Sequence, residues 1–158
     1  MMKQLVNVLM KFVALSVIAL ASAVGSAQGQ SLAYKLRATI PFDFVVGGKS
    51  LPAGEYSVGR AQGSGDTVLL ISSADGRANA IRLSRPVVSR FMNSKGKLVF
   101  HRYGEQYFLS QVWPAGASTG RELAKSRRER ELMANSSDQK MARNAQAVEI
   151  VNIVADMQ

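Results

Sequence analysis

The chain has 158 residues with no cysteine, one histidine and a net charge of +9 at neutral pH. Its fold takes no support from disulfides, and a zinc site built from cysteine and histidine is excluded, although oxygen-ligand metal sites stay open. The positive excess favours anionic partners or, as the plainer reading, serves solubility.

Residues 1–27 have the layout of a secretory signal peptide. Lys3 and Lys11 charge its first part, Phe12 to Leu20 is an apolar run, and the small residues Ala21-Ser22-Ala23 and Gly25-Ser26-Ala27 follow. This predicts cleavage after Ala27, in preference to Ala23, and an exported protein, periplasmic or secreted. An uncleaved anchor is the competing reading. Leu5 to Val24 is long enough to span a bilayer, but Asn7 and Lys11 interrupt it. No cysteine stands at the cleavage site, which excludes lipid attachment there, and no later segment is apolar enough for a spanning helix.

Tyr34 to Val46 alternates apolar and polar residues, the mark of a strand with one buried face, and Pro41 bends it or places it at an edge. Gly47 to Ser50 and Leu51 to Gly54 read as turns, and Glu55 to Arg60 as a strand. Gln62 to Asp66 is a Gly/Ser loop. Thr67 to Ser72 is apolar on both faces, as in a central strand, and Arg77 to Leu83 returns from an Asp75-Gly76 turn of type I′. Pro86 to Met92 is a further short strand. Leu98 to Tyr103 and Gln106 to Trp113 pair across Gly104-Glu105, a type II′ turn.

Short, regularly punctuated strands of this kind predict a mainly β protein, a single antiparallel β-sandwich or open β-barrel of about eight strands over residues 28–117. A charged helical segment is expected over 118–146. Thr119 and Glu122 have capping-box spacing for a helix from Gly120 to about Ala134, and Ser136 or Ser137 opens a second short helix to about Asn144. Over 147–158, Ala147 to Val154 suits a strand that closes the sheet, with a helix continued from Met141 as its competitor, and a tail follows.

No constellation of catalytic side chains emerges. Gly48-Lys49-Ser50 lacks both the earlier glycine and the following helix of a phosphate-binding loop, so it reads as a hairpin turn. Gly63-Ser64-Gly65 is too short for a nucleophile elbow. His101 is the only imidazole, and a strand-margin structural role fits it better than acid–base work. Across the Gly104-Glu105 turn, Tyr103 should pair with Gln106, Arg102 with Tyr107 and His101 with Phe108. This lays the Arg102 guanidinium over the Tyr107 ring and puts His101 on one face with Val99, Phe108 and Val112. Asp43, Glu55 and Glu105 are carboxylates that nothing in the sequence brings together. The basic and aromatic stretch from Lys95 to Trp113 has the composition of a single-strand nucleic-acid binder, but its aromatic positions do not match the RNA-binding pattern, and export argues against that partner. Arg127 to Glu131 mixes signs at helical spacing, as a solvated face does. Asn135-Ser136-Ser137 matches a glycosylation sequon, a pattern short enough to arise by chance.

Two stretches carry a resemblance: Ala38 to Tyr56 (ATIPFDFVVGGKSLPAGEY), and Leu98 to Leu109 (LVFHRYGEQYFL) with Gly120 to Leu123 (GREL) beyond it. Together they resemble a group of small exported proteins of soil bacteria. The resemblance implies export and a β-rich fold, and it transfers no activity and no site residues.

The reading that follows is an exported, non-catalytic β module without cofactor or metal, binding a partner or an anionic surface. The candidate surface is Arg102 and Tyr107 with the helix cations Lys125, Arg127, Arg128 and Arg130. An anionic polymer, a lipid headgroup or an envelope protein would be the partner. The alternative is a carrier holding an apolar small molecule in a barrel cavity lined by Tyr34, Phe42, Phe44, Tyr56 and Phe100. A hydrolase is the remaining reading, with no residue constellation behind it.

Overall fold

The computed structural model describes residues 34–61, 67–142 and 148–157. The expected signal peptide at 1–27, the Gly/Ser loop at Gln62 to Asp66 and the first residue of the expected last strand, Ala147, lie outside the described residues. In chain order the elements are β1 (Lys35–Ile40), β2 (Phe44–Val46), β3 (Lys49–Leu51), β4 (Gly54–Arg60), β5 (Val68–Ser73), β6 (Asn79–Val88), β7 (Gly96–Tyr103), β8 (Gln106–Trp113), β9 (Thr119–Leu123), α1 (Arg127–Ala142) and β10 (Glu149–Met157).

The protein is mainly β, and of the two expected architectures the barrel is the one found. Eight antiparallel strands form the ring in the order β8-β7-β10-β1-β4-β5-β6-β9, and β9 returns to β8 to close it. β8 divides its outer edge between two partners. Its first half pairs in parallel with β2 (Phe44 with Tyr107), and its second half pairs with β9 (Val112 with Arg121). β3 then extends the sheet antiparallel to β2.

The alternation in β1 does what its sequence predicts: Leu36, Ala38 and Ile40 turn inward, and their neighbours stay exposed. The barrel interior is packed with side chains. Phe44, Tyr56 and Phe100 are fully buried, with Phe44 meeting Tyr56 at 5.0 Å and Phe100 at 5.5 Å between ring centroids, both edge to face. Leu36, Ile40, Leu69, Ile71, Leu98 and Val112 fill the space around them. An eight-stranded ring is narrow enough for side chains alone to fill it. Tyr56 donates its hydroxyl hydrogen to the Pro52 carbonyl at 2.7 Å, so its one polar atom is satisfied.

Several expected elements are corrected. The single strand expected from Tyr34 to Val46 is split into β1 and β2, which pair with different neighbours, and Lys49–Leu51, expected within turns, is strand β3. Thr119 to Leu123 is strand β9, not the start of a helix, because the barrel needs a partner for both β6 and β8 there. The helix begins at Arg127 behind a different cap, Ser126, whose hydroxyl accepts the Glu129 backbone N–H at 3.1 Å. Helical backbone then runs unbroken to Ala142, without the break expected near Ser136. Arg77 to Leu83 and Pro86 to Met92 are not two strands. One long strand, β6, runs from Asn79 to Val88, while Phe91 and Met92 lie in the loop that follows. The β5–β6 turn is wider than a two-residue type I′ turn. Ser73 N–H donates to the Ala78 carbonyl, and only Gly76 takes positive φ (72°). Asp75 serves by side chain instead, accepting hydrogen bonds from the Ser73 hydroxyl and the Arg77 N–H. β5 shows its outer face to solvent at Leu70 and so is not apolar-buried on both sides. The last strand is real: β10 lies between β7 and β1.

Candidate functional site

The β7–β8 hairpin forms as its residues predict. Tyr103 pairs with Gln106, Arg102 with Tyr107 and His101 with Phe108, and Gly104 takes positive φ (61°) at the first central turn position. Above Val99 the register shifts, because Ser110 is an extra residue on β8. That bulge turns Val112 inward opposite Leu98, so Val112 does not share the outer face of Val99, His101 and Phe108 as expected.

The Arg102 guanidinium carbon lies 5.4 Å from the centre of the Tyr107 ring. Tyr107 in turn stacks on Phe42 at 3.8 Å, and Phe42 meets Phe100 edge to face at 5.3 Å. A column of rings thus runs from the barrel core to a surface cation. Arg102 is already heavily engaged. Its Nε donates to the Gly104 carbonyl at 2.7 Å, and its two terminal nitrogens meet Glu149 at 3.0 Å and Glu105 at 3.2 Å. Tyr107 first, and then these carboxylates, hold the guanidinium pKa above its ordinary value.

Of the helix cations, Arg128 joins this end of the barrel, its Nε donating to the Gln106 side-chain oxygen at 2.7 Å. Arg127 pairs with Glu131 one turn on, at 2.9 Å. Arg130 is exposed and has no ion pair with a described residue. Lys125 stands apart. It borders an open groove of about 490 Å³ with Leu83, Arg85, Glu122 and Leu123, on the β6–β9 side of the ring. The structure therefore brings Arg102, Tyr107 and Arg128 together, couples Arg127 to a carboxylate, and leaves Lys125 elsewhere.

Sequence reasoning missed the partner of His101. Its Nδ1 lies 3.0 Å from a carboxylate oxygen of Glu129, and both side chains are largely buried, 17 % and 5 % exposed. For Nδ1 to donate to this carboxylate, the imidazole must carry a hydrogen on that nitrogen. Tyr103 packs beside the pair, 6.4 Å from the His101 ring centre, and burial and then the nearby Glu129 charge push its phenol pKa up. The pair ties the first turn of α1 to the outer wall of the barrel. Ser126-x-x-Glu129 has the same spacing as Thr119-x-x-Glu122, so the capping pattern that could have found Glu129 was present twice. Glu129 departs from the pattern by spending its carboxylate on His101. Among the described residues no three metal-ligating side chains cluster. Comparison with family models, with curated proteins and with solved structures returns no significant match.

Proposed function

We propose that this is an exported, non-catalytic binding module that uses the outside of its barrel to hold an anionic partner. The observation that carries the reading is the state of the outer cations. Lys125, Arg128 and Arg130 are exposed and lack a carboxylate partner among the described residues, although the α1 region also holds Glu122, Glu129 and Glu131. Those acids are spent elsewhere, on Arg85, His101 and Arg127. The net positive charge of the chain acts in the same direction. The Arg102–Tyr107 column contributes a planar, ordered surface rather than a free charge, since Glu105 and Glu149 already face the guanidinium.

The packed interior argues for outside binding. A carrier would have to part Phe44, Tyr56 and Phe100, which now interlock at van der Waals distance.

The test is binding of the full chain to a sulfated polysaccharide at rising salt. Affinity should fall steeply, because exposed charges are screened beyond roughly 8–10 Å at physiological ionic strength. Arg128→Glu with Arg130→Glu should abolish it while the melting temperature stays close to that of the parent. Absence of affinity at low salt would end the charge-driven reading and make a search for an apolar ligand the next step.

A further inference from the structure

The end of β6 and the β6–β7 loop push apolar side chains into water. Val88 is 74 % exposed, Phe91 80 % and Met92 74 %. Single exposed apolar residues are common, but a contiguous projecting group of them calls for a cause. This loop is not loose. Ser89 N–H donates to the Ser118 carbonyl at 2.8 Å, Gly116 N–H donates to the Asn93 carbonyl at 2.7 Å, and Asn93 N–H donates to the Ala117 carbonyl at 3.2 Å. The backbone is thus pinned on both sides of Arg90-Phe91-Met92, and Phe91 N–H is held by the Ser89 hydroxyl at 3.2 Å. At the base of the loop, Gly96 lies so close to the next strand that a Cβ there would stand 2.6 Å from the Ala155 carbonyl oxygen. The tip is presented by a fixed frame, so little ordering is lost when it docks.

Charge around the tip points one way. Arg90 and Lys95 are exposed within the loop, Lys35 is exposed at the start of β1 on the same rim, and none has an ion pair with a described residue. Strand register puts the end of β10 there too, bringing exposed Met157 and the carboxylate Asp156. Among the described residues Asp156 is the carboxylate on these strand ends.

We propose that the β6–β7 loop is a membrane-inserting tip, with Phe91 and Met92 entering the acyl boundary of an anionic bilayer while Arg90, Lys95 and Lys35 meet its headgroups. Apolar side chains flanked by cations suit an anionic lipid interface, which takes up both. A soluble anionic polymer would use the cations and gain nothing from a projecting phenylalanine. This goes beyond the binding reading above, because it names the lipid surface and places contact at the opposite end of the barrel from α1 and the β7–β8 turn.

The absence of cysteine makes the test local. Met92→Cys in the full chain takes a polarity-sensitive fluorophore at the tip, and Ala74→Cys takes the same label at the far end, on the β5–β6 turn. Comparing the label at 92 with and without Phe91→Ser separates insertion of the loop from insertion by another apolar segment. With vesicles of phosphatidylglycerol and phosphatidylcholine in equal parts, the label at 92 should shift to the blue and be quenched by a lipid-borne quencher, while the label at 74 stays in water. Pure phosphatidylcholine vesicles should give a much weaker response. Adding Phe91→Ser should weaken the response about tenfold or more without moving the melting temperature, since the residue touches little in the folded chain. If the chain binds the vesicles or the sulfated polysaccharide while the label at 92 stays aqueous, the tip proposal falls and the charge-driven reading stands. If the tip inserts but the polysaccharide is not bound, the tip proposal stands without that reading. If neither probe binds at low salt, both fall.

Discussion

Tyr56 shows how one phenol can set a pH limit on the fold. Burial first, and the charges of Asp75 and Asp43 next, push its pKa above the ordinary tyrosine value, and Tyr103 moves the same way. For an acid whose folded pKa is raised, the neutral form is the one the fold prefers. The associated stability is complete below the unfolded value near pH 10 and is lost as pH climbs through the folded one. Denaturant midpoints measured from about pH 9 to about pH 11.5 should therefore fall, and Tyr56→Phe should flatten part of that fall. At neutral pH the same variant should cost about 1 kcal/mol, the Pro52 hydrogen bond it removes. At this scale the sequence was informative wherever two strands were joined by a short turn. The Arg102–Tyr107 stack follows from counting back from Gly104-Glu105. Glu129 could not be paired with His101 the same way, because it lies 28 positions along the chain and nothing in between carries a register.

Among the elements, α1 depends most on a few polar contacts. Residues 127–135 are mainly charged, with Leu132 half-buried, so burial of an apolar face contributes little to holding this part of it. Ser126 caps it, and Glu129 anchors it to His101. Ser126→Ala should cost roughly 1 kcal/mol, as loss of an N-cap does. Glu129→Ala should cost more, about 1–3 kcal/mol, because it strands the buried His101 nitrogen. In hydrogen exchange, amides of α1 should lose protection ahead of those in β7 and β8 in both variants. Equal loss across barrel and helix would show that the helix is not a separately opening unit. The element pattern also explains what the sequence concealed. β9 is polar and glycine-bearing, TGREL, and it is a strand because β6 and β8 both need a partner there. That requirement exists only once the ring is closed, so local residues could not announce it. β4 was legible throughout, whereas the alternation that announced β1 ran on to Val46 and hid the break after Ile40 that separates β1 from β2.

For the whole molecule, the decisive feature is where the ring closes. β10 sits between β7 and β1, joined to β7 from Glu149–Arg102 to Ala155–Gly96 and to β1 at Leu36 and Arg37. Truncation ahead of Glu149 should leave β7 and β1 with open hydrogen-bonding edges. Such a chain should aggregate in light scattering instead of remaining monodisperse, since unpaired edges template association. A monodisperse truncated chain with a cooperative melt would show that the barrel can seal without this strand. The position of β10 also sets a timetable. A ribosome delivers β1 and β7 long before it delivers the strand that must lie between them, so the nascent chain has no route to its finished barrel until residues 149–157 have emerged. Until then β7 and β1 face each other with unpaired edges, and the last strand to be made is the one that seals the ring.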